Sequence, residues 1–397
     1  MLEYFREIDQ FNGVSGVGGA ILKRISARQK IKILQLNARK WRRENRRPPA
    51  AINSGRTAAA KAAFATVRAK LPSVANDTDD KEGRFIITPP KVFSLSKNYD
   101  QTLAFILDFK RLFYERKKHL CEDGIRRTAY ADFSIIEHIG AGAGLALAAE
   151  VHRFSQYRGK PPRIYEHLWS ESVRKYFIET GLFELLHIDP SLVSTRPSSE
   201  LDRSTLKFTS GRITKGGDVK ELITRLQSLA GRSLDHRPAV YAAIAEALAN
   251  VSHAYPSWFR SWPYRSSRQW WVSGFWRPSG NTVGLQLYDQ GAGIPATLPR
   301  QAYWPRLVGL GALDPERTAA GLIAAALQYG RTSTGQAGRG KGLAEMANWI
   351  ETTGSGFLRI LSAGGEVVYR PGGKLERRNF NAPFCGTLVE WEVSVGN

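Results

Sequence analysis

Cysteine is almost absent: Cys121 and Cys385 are the two in 397 residues. They are too few for a disulfide framework and lack CxxC metal spacing, so a reducing, cytoplasmic setting is expected. No apolar run approaches the roughly 18 residues that a membrane-spanning helix needs, so no membrane partner is expected. The opening residues, MLEYFREIDQFNG, lack the basic and then apolar regions of a secretory leader. The seven histidines include no H-x-x-x-H or H-E-x-x-H spacing, which argues against a helical zinc site. No internal repeat is visible. Acidic residues are scarce in one region. Residues 20–70 hold fifteen Lys or Arg against the single acid Glu44, a balance of +14 within a chain total of +21. Such a block attracts polyanions through counterion release, and nucleic acid is one expected partner. A merely solvated arm is the other reading.

What is present is globular. Hydrophobic residues make up 42% and charged residues 23%, values that exclude a disordered chain. The length predicts two or three domains. Residues 1–85 read as a basic, partly helical arm. "ISARQKIKILQLNARKWRRENRRPP" can form one helix, ending at Pro48 and Pro49. "TAAAKAAFATVRAK" is a second by its alanine content, and "LPSVANDTDDKEG" reads as a polar linker. Residues 86–200 alternate strand-like and helix-like stretches, which predicts a small α/β domain with a largely buried sheet. Residues 201–397 form the last domain. There the helix "YAAIAEALANVSHA" precedes two strands joined at "RPSGN", where the turn chemistry is strong. The fold class expected for the chain is therefore α+β.

Four separated motifs in the last domain carry the chemistry. Glu246 and Asn250 stand four apart and so share one helix face; a buried glutamate there needs a partner or a task. "DQGAGIP" puts Asp289 at the end of an apolar strand, with Gly291 and Gly293 in the following turn. "GRGKGL" puts Gly338, Gly340, Lys341 and Gly342 just ahead of a helix, where backbone N–H groups and the helix dipole suit an anion. Gly386 and Thr387 open the final strand.

In order and spacing, over about 195 residues, these motifs resemble the ATP-binding domain of the GHKL superfamily. That group comprises gyrase, a heat-shock chaperone, histidine kinases and MutL. E-x-x-x-N is similar to its N-box, D-x-G-x-G and G-x-G-x-G-L to its two glycine boxes, and G-T to its terminal motif. The resemblance implies a Bergerat-type α/β sandwich, a mixed sheet with helices on one face, with ATP and Mg²⁺ as ligands. It implies that Asn250 gives Mg²⁺ an oxygen ligand, that Glu246 deprotonates the nucleophile, and that Asp289 accepts a hydrogen bond from the adenine amino group. Gly291 and Gly293 would let the backbone pass close to the nucleotide. Gly338, Gly340, Lys341 and Gly342 would wrap the phosphates, and Thr387 would support Asp289.

"NVSHAYP" and "GTLVEW" are nearest the anti-sigma-type regulatory ATPases of that group. The chain runs only about ten residues beyond Gly386–Thr387, which speaks against a gyrase-like transducer domain. "ADFSIIEHIGAGAGLALAAEVHRF" resembles a STAS domain, in which Ser134 is an imperfect equivalent of the phospho-acceptor serine. A plain structural α/β domain is the competing reading of residues 86–200. The expected function is a slow, Mg-ATP-dependent conformational switch. Two alternatives remain: a serine kinase acting on a partner protein, and a nucleic-acid-binding module with structural ATP. A protein partner and a homodimer stay open. "IGAGAGLALAAE" misses the dinucleotide fingerprint because its third glycine is Gly144, so close helix packing is the better reading. The tryptophans from Trp258 to Trp276 are expected in the core, His253 as a packing or lid-contacting residue, and Arg331 with the neighbouring "TST" is a candidate for the lid over ATP.

Overall fold

The alanine-rich stretch forms helix α1 (Ser54–Ala69), whose Arg68 is ion-paired at 2.7 Å with buried Asp108. The computed structural model describes residues 54–395, except 73–74, 80–84, 116–117, 121–125, 129, 159–165, 167–168, 188–203, 213–215, 257–267, 302, 310–316 and 333–341. Residues 1–53 precede the described part of the chain. The helix expected before Pro48 and most of the basic block lie there, outside the described residues. The stretch expected to be a linker contains a strand instead, Ala75–Asp79, antiparallel to Phe85–Ile87. It is an edge strand of a three-stranded sheet, and an edge tolerates the charged residues that suggested a linker.

Between residues 86 and 200 the alternation of strand and helix is present, but the described strands are two or three residues long. The core here is helical and aromatic rather than a continuous buried sheet. Helices α2 (Tyr99–Glu115) and α3 (Ala141–Arg158) supply most of it, and Phe105, Phe133, Trp169 and Phe177 pack ring against ring. The helical stretch "SESVRKYFIETGLFELL" is interrupted. Helix α4 (Glu171–Glu179) ends and a short turn, Leu182–Leu185, follows Gly181 at φ +74°, a left-handed conformation that glycine adopts readily.

The remainder is built on β1 (Ser204–Gly211), α5 (Gly216–Ala230), α6 (Arg237–Ala254), β2 (Trp270–Arg277), β3 (Thr282–Asp289), α7 (Ala319–Thr332), α8 (Gly342–Thr353), β4 (Phe357–Arg370) and β5 (Lys374–Ser394). The five strands make one sheet in the order β4-β5-β3-β2-β1. Every neighbouring pair is antiparallel, where a mixed sheet was expected. Two of the pairings are hairpins, β2–β3 and β4–β5, and β5 inserts between β3 and β4. Side chains alternate across the sheet. Trp270, Val272, Val283, Leu285 and Leu287 meet α5 to α8 on one face. Trp271, Tyr288, Leu361 and Leu388 join the core of α2 and α3 on the other. The helices of residues 201–397 thus lie on one face, and α3 covers the second.

Two glycines let α3 come close. A Cβ at Gly142 would lie 2.5 Å from Glu390 Oε1, and one at Gly144 would lie 2.1 Å from the Tyr176 hydroxyl. "IGAGAG" therefore serves close packing. Trp270, Trp271 and Trp276 are buried; Trp258 and Trp262 lie outside the described residues. Among the described residues, no helix is long and apolar enough to cross a membrane.

Candidate functional site

Helix α6 starts with a proline in its first turn, where the missing N–H costs nothing. Its apolar residues, including Val240, Ala243, Ile244, Ala247, Leu248 and Val251, recur at helical spacing and are buried. Glu246, Asn250 and His253 form the adjacent stripe. All three line a cavity of about 430 Å³, together with Asp289, Gly293, Gly342 and Thr387. Residues from four distant stretches of sequence therefore meet in one space.

The deep end of the cavity is formed where β3 stops. Asp289 is 5% exposed, and the Gly291 N–H donates to its Oδ1 at 2.7 Å. Burial drives its carboxyl up to about 7, while backbone N–H groups of Gly291 and Thr387 pull the other way. Gly291 does not line the cavity. It sits against the end of α6, where a Cβ would lie 2.3 Å from the Ala254 carbonyl oxygen, and the Ala292 N–H donates to that same oxygen at 2.7 Å. Gly293 does line the cavity.

Gly386 and Thr387 were expected to open a strand, but they lie within the 21-residue β5. The ladder between β4 and β5 breaks register there: Ser362 pairs with Thr387, and the next pair is Ala363 with Phe384. Gly386 fills this break at φ +89°, with the Asp289 carbonyl oxygen 1.8 Å from where a Cβ would be.

Ser362 is a residue that sequence reading missed. It is fully buried, donates to the Gly386 carbonyl at 3.1 Å and accepts from the Ile294 N–H at 2.9 Å. It also lies 3.0 Å from the Thr387 hydroxyl. A serine has one hydroxyl proton. When Ser362 gives its proton to Gly386, Thr387 donates to Ser362 and turns lone pairs to the cavity; when Ser362 donates to Thr387, the Thr387 proton is free to point elsewhere. With Asp289 ionised, the deep end presents acceptors. The sequence signal was available: a serine inside the apolar strand "FLRILSAGG".

At the other end, α8 begins at Gly342, and Glu246 lies over it: a Cβ at Gly342 would fall 1.9 Å from Glu246 Oε1. Burial raises the Glu246 carboxyl above its usual range and Glu345 adds to this, while His253 opposes it. Gly338, Gly340 and Lys341 lie outside the described residues, as does the Arg331 side chain. One wall has its own small core of Leu298, Leu307, Leu322 and Tyr329. Here Tyr303 stacks on Tyr329 with ring centroids 5.1 Å apart and faces the cavity. Sequence reading missed Tyr303 as well.

Among the described residues, no group of three or more His, Cys, Asp or Glu side chains is placed to hold a metal ion. The donor set that fits a hard cation is smaller: the Asn250 amide oxygen, one helical turn from Glu246, with room in the cavity for ligand oxygens. No family model, curated protein or solved structure matches the chain.

Proposed function

We propose that this chain is a Mg-ATP-binding regulatory protein of the GHKL class, which hydrolyses ATP slowly and uses closure over the cavity as a conformational switch. One observation supports this reading above the others. Glu246, Asn250, Asp289, Gly293, Gly342 and Thr387, singled out from four motifs, line the same cavity. Its volume of about 430 Å³ falls in the range of roughly 300–1,000 Å³ usual for small-molecule sites.

The chemistry of the two ends is complementary to the two ends of ATP. With Asp289 ionised, the pole formed by Asp289 and Thr387 suits the adenine 6-amino group and repels the carbonyl oxygen of guanine. At the opposite end, the amino terminus of α8 at Gly342 turns backbone N–H groups and a positive dipole end toward phosphate oxygens. Mg²⁺, when bound, would offset phosphate charge, and Asn250 would give it an oxygen. Glu246 is placed to orient a water and take its proton, and a carboxyl raised by burial is the better base for that step. Residues 86–200 are read as a STAS-like regulatory layer, in which Ser134 is exposed in a turn formed by Asp132.

The deciding experiment follows γ-labelled ATP. Phosphate released to water supports the switch. Label retained on protein replaces it with a kinase, and no turnover together with no binding removes the nucleotide reading.

A further inference from the structure

Asp289 and the residue after it point to opposite faces of the sheet. Asp289 turns toward the cavity, and Gln290, only 1% exposed, turns toward α2 and α3. Its amide N–H donates to Glu150 Oε1 at 2.8 Å. Glu150 is the centre of a buried ion cluster: Lys110 Nζ lies 2.9 Å from Oε1, and an Arg153 guanidinium nitrogen lies 2.8 Å from Oε2. The three side chains are 1–3% exposed. Burial alone would raise the Glu150 carboxyl; Arg153 and Lys110 override that and hold it below its usual value.

A buried cluster of this kind is expensive to form and strongly unfavourable to break, so it is a fixed point. Gln290 is held on a second side as well. Its backbone N–H donates to the Tyr255 hydroxyl at 2.9 Å, and that hydroxyl donates to the Gln269 carbonyl at 2.8 Å. The Asp289 carboxylate takes its direction from the same turn, through the Gly291 N–H. What fixes Gln290 therefore bears on the aim of Asp289, alongside the Thr387 N–H that reaches the carboxylate from β5.

We infer that Gln290 is a positioning residue for Asp289, anchored by the Lys110–Glu150–Arg153 cluster, and that it sets the selectivity of the cavity for a ligand bearing an amino group. The inference rests on the nucleotide reading above. It adds that the discriminating carboxylate is aimed from across the sheet, by α2 and α3.

The test uses the full-length protein with Mg-ATP and Mg-ITP, two nucleotides that differ at the 6-position, where ITP carries oxygen in place of the amino group. Gln290→Met keeps nearly the same volume without the hydrogen bond, and Gln290→Asn keeps the amide but falls short of Glu150. In either variant, ATP affinity is expected to fall roughly five- to tenfold, the scale of one charge-assisted hydrogen bond acting through a neighbour. ITP affinity should hold, so the ATP-to-ITP ratio falls by the same factor. A merely structural role would weaken both nucleotides in parallel, and that result, or an unchanged ratio in a folded variant, overturns the inference. If the wild type binds neither nucleotide, the functional reading fails by itself. The positioning claim is then judged on amide exchange of residues 289–293 in the ligand-free protein. Faster exchange in Gln290→Met upholds it, and unchanged exchange overturns it.

Discussion

Glu246 lies across the backbone of Gly342, its Oε1 occupying the space that the Cβ of any other residue would need. The obstructing atom is the free end of a flexible side chain, so an alanine at 342 would push Glu246 aside and leave the fold intact. Gly342→Ala is therefore expected to keep thermal stability close to wild type, with turnover at least tenfold lower. A normal rate of phosphate release in that variant would show that the position of Glu246 is immaterial.

Glu246 and Asn250 share the cavity-facing stripe of α6, and the proposed function gives each a different task. Glu246→Ala should still bind Mg-ATP while turnover drops by a factor on the order of 10²–10⁴, the contribution of a general base. Asn250→Ala should instead weaken binding itself, and only when magnesium is present. Titrations with and without magnesium, run beside phosphate release, separate the two.

Asp289 makes the ligand-free protein sensitive to pH. Its carboxyl titrates near 7 in the folded chain against an ordinary 3.8, so the folded state holds this proton more tightly than the unfolded one. The stability tied to that proton is complete below about 3.8 and is lost as pH rises through about 7. Asp289→Asn removes the dependence. Its stability relative to wild type should be greater at pH 8 than at pH 5 by roughly 2–3 kcal/mol, taking 1.36 kcal/mol per unit. Denaturant titrations at both values check this; a difference that shrinks with rising pH would reverse the sign.

Gly386 and Ser362 maintain the break in the β4–β5 ladder. Unlike the case at Gly342, the obstacle at Gly386 is backbone, the Asp289 carbonyl, and φ is already +89°. Gly386→Ala is expected to cost about 2 kcal/mol or more through strain and overpacking. Ser362→Ala removes a donor to Gly386 and an acceptor for Ile294 and Thr387, for about 1–3 kcal/mol. Equilibrium unfolding of both variants measures these losses.

The sequence made some of this readable and hid the rest for identifiable reasons. Helix α6 and the β2–β3 hairpin carry their own signals, an apolar helical stripe and a Pro-Ser-Gly-Asn turn. The length of β5 was hidden because Pro383 and the register break interrupt its pattern, leaving only "GTLVEWEV" recognisable. Ala75–Asp79 was hidden by its charge, which an edge strand accepts. That α3 covers the second face of the sheet could not be read at all, since Gly142 and Gly144 mark close packing without naming the partner. In the site, Glu246, Asn250, Asp289 and Thr387 were visible as motifs, whereas Ser362 and Tyr303 act through contacts that no local pattern announces.

The most direct measurement is a titration of the full-length protein with ATP, with and without magnesium, beside the same titration of Asp289→Asn. Saturable binding that magnesium strengthens and the asparagine variant loses is the expected result. Absence of saturable binding in the wild type, or equal affinity in Asp289→Asn, would contradict a nucleotide cavity organised around that carboxylate.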